Sequence, residues 1–384
     1  MNYFSSNFKL GILGGGQLGK MMLYSTRTFD ITTHVMDASN EAPCKLACNQ
    51  FTLGDLMDYD AVYNFGKQVD VLTFEIENVN VDALESLEKE GVLVYPSSQT
   101  LRTIQNKATQ KLFYRDHDIP TSDFTRFAYL SEIKDAIENG GLKLPFVWKA
   151  AQFGYDGNGV KIVKQLSDLE GLPKGECIAE DLIPFKNELA VIVARNSSGA
   201  IKTYPVVEME FHPEANQVEY VICPARIDDA VARKAQDIAL KVSEAFNHVG
   251  LLAVEMFQTK SDAILVNEVA PRPHNSGHQT IEASYTSQFE QHIRAILNLP
   301  LGNTESKVGG IMVNLVGAEG HTGPVIYENI ADIMQLDGVT PHIYGKKQTR
   351  PFRKMGHVTI VNEDIGEARR IAETVKKTIK VISK

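Results

Sequence analysis

The stretch NEVAPRPHNSGHQT, residues 267–280, follows an apolar run and sets Glu268, Arg272, His274, Asn275 and His278 close together in the chain. Upstream stand GLLAVEMFQ (250–258) and AILVNEV (263–269), with Lys260, Ser261 and Asp262 between them as the turn of a hairpin. That hairpin carries Glu255 and Glu268 on adjacent strands. Facing carboxylates repel unless something neutralises them. A pair of Mg²⁺ ions shared with nucleotide phosphates does so, because oxygen ligands suit that metal. The alternative is a solvent-facing pair, but both glutamates lie within apolar runs.

Further upstream, VWKAAQFGYDGNGV (147–160) sets Lys149 at a strand end before a loop containing Gly154, Gly157 and Gly159. Such a loop can close over a polyphosphate, its N–H groups meeting oxygens while the lysine neutralises charge. IAEDLI (178–183) ends a strand in Glu180, and KNELAVIV (186–193) contributes Glu188. Near the start, LGILGGGQLGKMM (10–22) holds Gly14-x-Gly16-x-x-Gly19 between a strand and a helix, with Asp37 ending the next strand. That is the dinucleotide fingerprint in its required context. Alone it points to an NAD-dependent enzyme, to another phosphate-bearing ligand, or to close packing of helix on strand.

The 384 residues exceed what one core supports, so two or three domains are expected. Residues 1–106 alternate short apolar strands with helices at 59–69 and 81–90, the pattern of a parallel α/β sheet, closed by Pro96-Ser97-Ser98. Residues 107–300 change to α+β texture: a helix from Lys107 toward Pro120, strands of an antiparallel sheet, and one helix at 228–246. After the linker-like GNTESK, residues 301–384 add short strands and a closing helix at 366–383. The net charge of −9 argues against nucleic acid. Neither a secretory signal nor a membrane span is visible. Four cysteines without a CxxC pair read as free thiols in a reducing cytoplasm.

A lysine strand, a glycine lid, a glutamate-ended strand and a carboxylate hairpin, in that order, make the layout of the ATP-grasp superfamily and displace the dehydrogenase reading. On GILGGGQLGKM, GYDGNG, NEVAPRPHNSGH and RPFRKMGH, the chain resembles the N5-carboxyaminoimidazole ribonucleotide synthetase family of purine biosynthesis over essentially its whole length. A related formyltransferase shares the domain layout, but its counterpart motif resembles PRPHDTG, where this chain has PRPHNSG.

The resemblance implies an ATP-grasp fold with a Rossmann-like N-terminal domain, a central ATP-grasp domain and a small C-terminal domain. It implies an ATP-dependent ligase that carboxylates aminoimidazole ribonucleotide with bicarbonate through carboxyphosphate. ATP would meet Lys107, Lys149, the lid residues Phe153, Gly154, Tyr155, Asp156, Gly157, Asn158 and Gly159, then Glu180, Asp181, Leu182, Ile183, Glu188, Asn267 and Glu268. Magnesium would sit on Glu255 and Glu268. The ribonucleotide would meet Gly16, Gln17, Leu18, Tyr155, Arg272, His274, Asn275 and Ser276, with its phosphate on Lys347, Arg353 and Lys354 of a basic cluster that includes Arg350. Lys149 and Arg272 are expected to be catalytic, and Asp156 and His274 are both candidates to take the amine proton. A homodimer is also implied. The chain departs from the family at Lys107 (often arginine), Phe153 (glycine), Asn158 (basic) and Phe211 (histidine).

Overall fold

The structure, a computed structural model, describes residues 2–152, 159–212 and 217–384. Its first layer is built by β1 (Lys9–Leu13), α1 (Gln17–Thr28), β2 (Thr32–Asp37), β3 (Gln50–Leu53), α2 (Tyr59–Gly66), β4 (Val71–Phe74), α3 (Val81–Lys89), β5 (Leu93–Val94) and α4 (Ser98–Ile104). The strands form one parallel sheet in the order β3-β2-β1-β4-β5, as the alternation predicts. Three helices here start on a side-chain cap: Asp58 accepts from Ala61 N–H, Asn80 from Ala83 and Ser97 from Thr100. Such caps satisfy donors that a helix leaves open at its first turn. Pro96-Ser97-Ser98 therefore opens α4, where the sequence reading ends the unit.

The second layer begins with α5 (Lys107–Asp116), capped by Asn106, and continues through β6 (Phe124–Phe127), α6 (Leu130–Glu138), β7 (Phe146–Ala150), β8 (Val160–Val163) and β9 (Cys177–Asp181). These four strands make a small antiparallel sheet, β6-β9-β7-β8, around Phe146 and Trp148. Next come β10 (Phe185–Arg195), β11 (Ile201–Thr203), β12 (Val207–Phe211), β13 (Val218–Cys223), α7 (Asp229–Phe246), β14 (Gly250–Thr259) and β15 (Ile264–Ala270). The antiparallel strands thus divide between two sheets, where the sequence reading has one. KTYPVVEME likewise splits into β11 and β12 around Pro205, which has no N–H to give to a ladder.

Helices α8 (Thr280–Ala283) and α9 (Gln288–Ile296) precede β16 (Gly309–Val316), β17 (Gly323–Glu328), α10 (Ile330–Ile333), β18 (Val339–Ile343), β19 (Gln348–Thr349), β20 (Lys354–Asn362), α11 (Ile365–Thr378) and β21 (Lys380–Ser383). The closing helix stops at Thr378, and the last residues pair as β21 with β17. Strand β16 pairs with β13, so one nine-stranded sheet runs β15-β14-β10-β12-β13-β16-β20-β18, with β11 on β10. Residues 302–307 are held: Gly302 N–H donates to Gln291 Oε1 at 2.8 Å and Lys307 N–H to Ala283 O at 2.6 Å. The apolar face of α1 packs with Phe289, Ile293 and Ile296 of α9, fixing the first layer against the large sheet.

Candidate active site

A cavity of about 700 Å³ opens where the layers meet. Gln17, Leu18, Glu75 and Glu77 line one wall, Lys107, Glu255 and Glu268 another, and Arg272, His274, Asn275 and Lys354 the third.

Glu255 stands directly opposite Glu268 in the β14–β15 ladder, and the register shifts just beyond that pair. A bulge suspends the alternation of a strand. Consecutive Asn267 and Glu268 can then both serve the cleft while Val266 and Val269 stay in the core. Lys149 Nζ donates to Asn267 Oδ1 at 2.9 Å, and Lys107 forms an ion pair with Glu268. His274 Nδ1 faces the Ser276 hydroxyl at 2.9 Å and the Ser276 N–H at 3.3 Å, which turns Nε2 to Glu255 Oε1 at 3.1 Å. Burial, and then the charge of Glu268, push the Glu255 carboxyl well above the usual range. Lys107 and Lys149 hold Glu268 below it. Glu188, partly buried and near Glu268, is pushed up to about 7 by desolvation and then by the Glu268 charge.

Glu268 set against Lys107 and Glu255 set against His274 Nε2 give two carboxyl groups whose present partners a divalent ion could replace. Among the described residues no group of three or more His, Cys, Asp or Glu could hold a metal alone. The oxygen donors of Glu255 and Glu268 are of the kind that suits Mg²⁺, which uses few carboxylates and completes its shell with phosphate and water oxygens.

Glu180 is buried to 3% exposure between Lys149 Nζ, 3.1 Å from Oε1, and Lys111 Nζ, 3.2 Å from Oε2. Burial opposes its charge, but the two lysines outweigh that and keep its carboxyl below the usual range. Asp181, Leu182 and Ile183 lead from β9 toward β10, and Gly159 lies at φ +77° with its carbonyl accepting from Ala150 N–H at 2.8 Å. Phe153, Gly154, Tyr155, Asp156, Gly157 and Asn158 lie outside the described residues.

The glycine loop is already engaged. Gly16 N–H donates to Glu75 Oε1 at 2.7 Å, and Leu18 and Gly19 donate to Oε2 at 3.1 and 3.2 Å. Gly15 donates to Asp37 Oδ2 at 2.7 Å. Gly14 lies at φ +95°, and a Cβ on Gly16 would stand 2.6 Å from Glu75 Oε1, so glycine is required at both. Gln17 and Leu18 still border the cavity.

Arg272 Nη2 reaches Glu77 Oε1 at 3.0 Å. Asn275 is locked to Asn314 of β16 by reciprocal amide hydrogen bonds of 3.0 and 2.8 Å, and Ser276 is buried. The basic cluster is divided. Lys354 borders the cavity, Lys347 forms a 3.0 Å pair with Glu41 of the first layer, and Arg353 Nη1 donates to Gln348 O at 2.6 Å. Glu75, Glu77, Lys111 and Asn314 are absent from the sequence reading. For the two glutamates a signal exists: TFEIENV puts acids two apart at the carboxyl end of a parallel strand, where α/β sheets bind ligands.

The comparisons with known proteins follow the same three-part order. Residues 8–105 match the ribonucleotide synthetase preATP-grasp domain, 112–289 the ATP-grasp domain, and 310–371 the phosphoribosylaminoimidazole carboxylase C-terminal domain. The chain is 38% identical to the N5-carboxyaminoimidazole ribonucleotide synthase of Bacillus subtilis, across 92% of this chain and 91% of that one. The crystal structure of N5-carboxyaminoimidazole ribonucleotide synthetase from Thermotoga maritima superposes with a TM-score of 0.90 at 42% identity, covering 98% and 100% of the two chains. The Aspergillus clavatus synthase, solved with ADP and 5-aminoimidazole ribonucleotide, gives 0.88 at 34% identity over 97% and 98%. Sequence kinship at this level, extending through every layer that borders the cavity, means that the chain belongs to the N5-carboxyaminoimidazole ribonucleotide synthetase family of ATP-grasp ligases.

Proposed function

We propose that the protein uses ATP to join bicarbonate to 5-aminoimidazole ribonucleotide, giving N5-carboxyaminoimidazole ribonucleotide, ADP and phosphate in purine biosynthesis. The observation that carries this reading is one cavity lined both by Lys107 with the Glu255–Glu268 pair and by Arg272, His274 and Lys354. The nucleotide phosphates belong at the first group and the acceptor at the second.

Bicarbonate is a poor electrophile, and transfer of the γ-phosphoryl group to one of its oxygens gives carboxyphosphate, which has a leaving group. The exocyclic amine then attacks the carboxyl carbon, the C–O bond to phosphate breaks, and the amine loses a proton. Lys107 and Lys149 neutralise the transferring phosphoryl group, a matter of positioning and charge more than covalent chemistry. Mg²⁺ held by Glu255 and Glu268 would add charge neutralisation between the phosphates. Arg272 orients bicarbonate, and Lys354 receives the ribose phosphate. His274, whose Nε2 now meets Glu255, would accept the amine proton.

To the same reading belong a cytoplasmic homodimer and three units at 1–106, 107–300 and 301–384. Among the described residues no helix is long and apolar enough to cross a membrane. The deciding experiment measures phosphate release from ATP and bicarbonate with and without aminoimidazole ribonucleotide. Release that needs the ribonucleotide and yields the N5-carbamate supports the reading, and release indifferent to it points to another acceptor.

A further inference from the structure

Helix α5 carries a second lysine, Lys111, one turn after Lys107 and on the same face, as positions i and i+4 are. Lys107 reaches the cavity, whereas the Lys111 side chain is 2% exposed. Lysine is almost never buried so fully unless its charge is paired. Here three acceptors meet the ammonium: Thr121 Oγ1 at 2.6 Å, Ser122 Oγ at 2.9 Å and Glu180 Oε2 at 3.2 Å. The Thr121 hydroxyl in turn donates to Val266 O at 2.6 Å, and Ser122 donates to Glu180 Oε2 at 2.9 Å. The ammonium, both hydroxyls and Glu180 Oε2 therefore have directed partners, while Glu180 Oε1, without a hydrogen bond, meets a cation only as an ion pair.

The arrangement continues into the cleft. Glu180 presents its other oxygen to Lys149, and Lys149 donates to Asn267. The line Lys111–Glu180–Lys149–Asn267 runs from α5 through β9 and β7 of the small sheet to β15 of the large one. We propose that Lys111 is a positioning residue for ATP, which fixes Glu180 from behind and so sets where the Lys149 ammonium stands. Without Lys111, Glu180 has Lys149 as its one cationic partner and draws it away from the nucleotide. This inference rests on the reading that Lys149 meets the ATP phosphates.

The test is a set of four variants, assayed for both substrates with folding followed by circular dichroism. Lys111→Met should raise the KM for ATP by about tenfold, the weight of one charge-assisted contact. The KM for aminoimidazole ribonucleotide should stay within about twofold, since distant sites act independently. Adding Lys111→Met to Glu180→Gln should change the KM for ATP no further, because the residue through which Lys111 acts is then already altered. A packing role alone would lower the melting temperature in both backgrounds and leave the ATP and ribonucleotide constants moving together. Lys149→Met separates the two layers of the argument. If it leaves the KM for ATP unchanged, the nucleotide site is misassigned. If it raises that KM while Lys111→Met does not, the positioning role is overturned. Should Lys111→Met alone not fold, the uncharged Lys111→Met/Glu180→Gln pair against Glu180→Gln still decides: equal KM values uphold the role and a further rise overturns it.

Discussion

The Glu75 carboxylate sits over the amino end of α1 and takes the Gly16 N–H at 2.7 Å, in the position a dinucleotide pyrophosphate would need. The Glu75 carboxyl group therefore occupies the donor site that the glycine fingerprint advertises, with burial raising its pKa against the Gly16 and Gly19 N–H groups that favour its charge. NAD and NADP should give no calorimetric binding signal up to about millimolar concentration, the weak end of specific affinity. Measurable micromolar binding of either would overturn this account of the loop. Glu75→Ala should cost about 1.5–3 kcal/mol of stability for the charged hydrogen bonds lost, read from denaturant midpoints.

Glu268→Gln keeps the shape of the hairpin and removes the charge that pairs with Lys107. Turnover should fall by about a hundredfold, corresponding to several kcal/mol of charge stabilisation, and should respond little to added magnesium. Near-normal rates at ordinary magnesium would remove Glu268 from the metal site. Because Glu255 holds its proton to higher pH than an ordinary carboxyl, protons compete with the metal. The magnesium concentration for half-maximal activity should therefore fall as pH rises through neutrality.

Lys354 borders the cavity, whereas Lys347 is exposed and paired with Glu41. Lys354→Ala should raise the KM for aminoimidazole ribonucleotide about ten- to hundredfold, as for a lost charge-assisted contact, with the KM for ATP unchanged. Lys347→Ala should shift neither by more than about threefold, since exposed ion pairs contribute about 0–1 kcal/mol. Equal effects of the two substitutions would mean that the whole turn, and not Lys354 alone, receives the phosphate.

Five buried histidines make the fold sensitive to acid, His34 among them, held below its ordinary value by burial and by Lys9. Burial holds His248 down to about 4 and His292 down to about 3, and His278 and His357 also lie well below 6.5. Below pH 6.5 the unfolded chain binds protons that the folded one refuses, so stability present above 6.5 is lost as pH falls. Each histidine contributes a slope of about 1.4 kcal/mol per pH unit. Glu188, pushed up to about 7, acts oppositely: the folded form keeps a proton that the unfolded form releases, so stability declines as pH rises toward 7. Metal-free protein should thus be most stable near pH 6.5. Denaturant midpoints between pH 5 and 8 check this, and His292→Gln should flatten the acid limb.

The carboxylate hairpin was legible because alternation and a three-residue turn mark its two strands, although that register alone would set Glu255 opposite Asn267 and not Glu268. The bulge that turns Asn267 toward Lys149 was not, since a two-against-one pairing leaves no periodic trace. The glycine fingerprint gave the right strand–loop–helix but left open whether the loop meets a dinucleotide, meets another phosphate or only packs. Its donors are taken by Glu75 and Asp37, which lie 59 and 22 residues away from their partners. In RPFRKMGH the charges are visible but their directions are not. Phe352 at φ 61° swings the chain, and Arg353 and Lys354 then leave on different sides. Lys111 looks like any helical lysine until α5 is packed.

The pairing of β13 with β16 governs how the polypeptide can be divided. A chain ended near residue 300 would present Tyr220–Cys223 as a bare row of amides and carbonyls beside apolar side chains, a template for self-association. The matching fragment would carry Gly310–Val313 with the same liability. The last eighty or so residues are therefore less a detachable module than the far half of a common fabric.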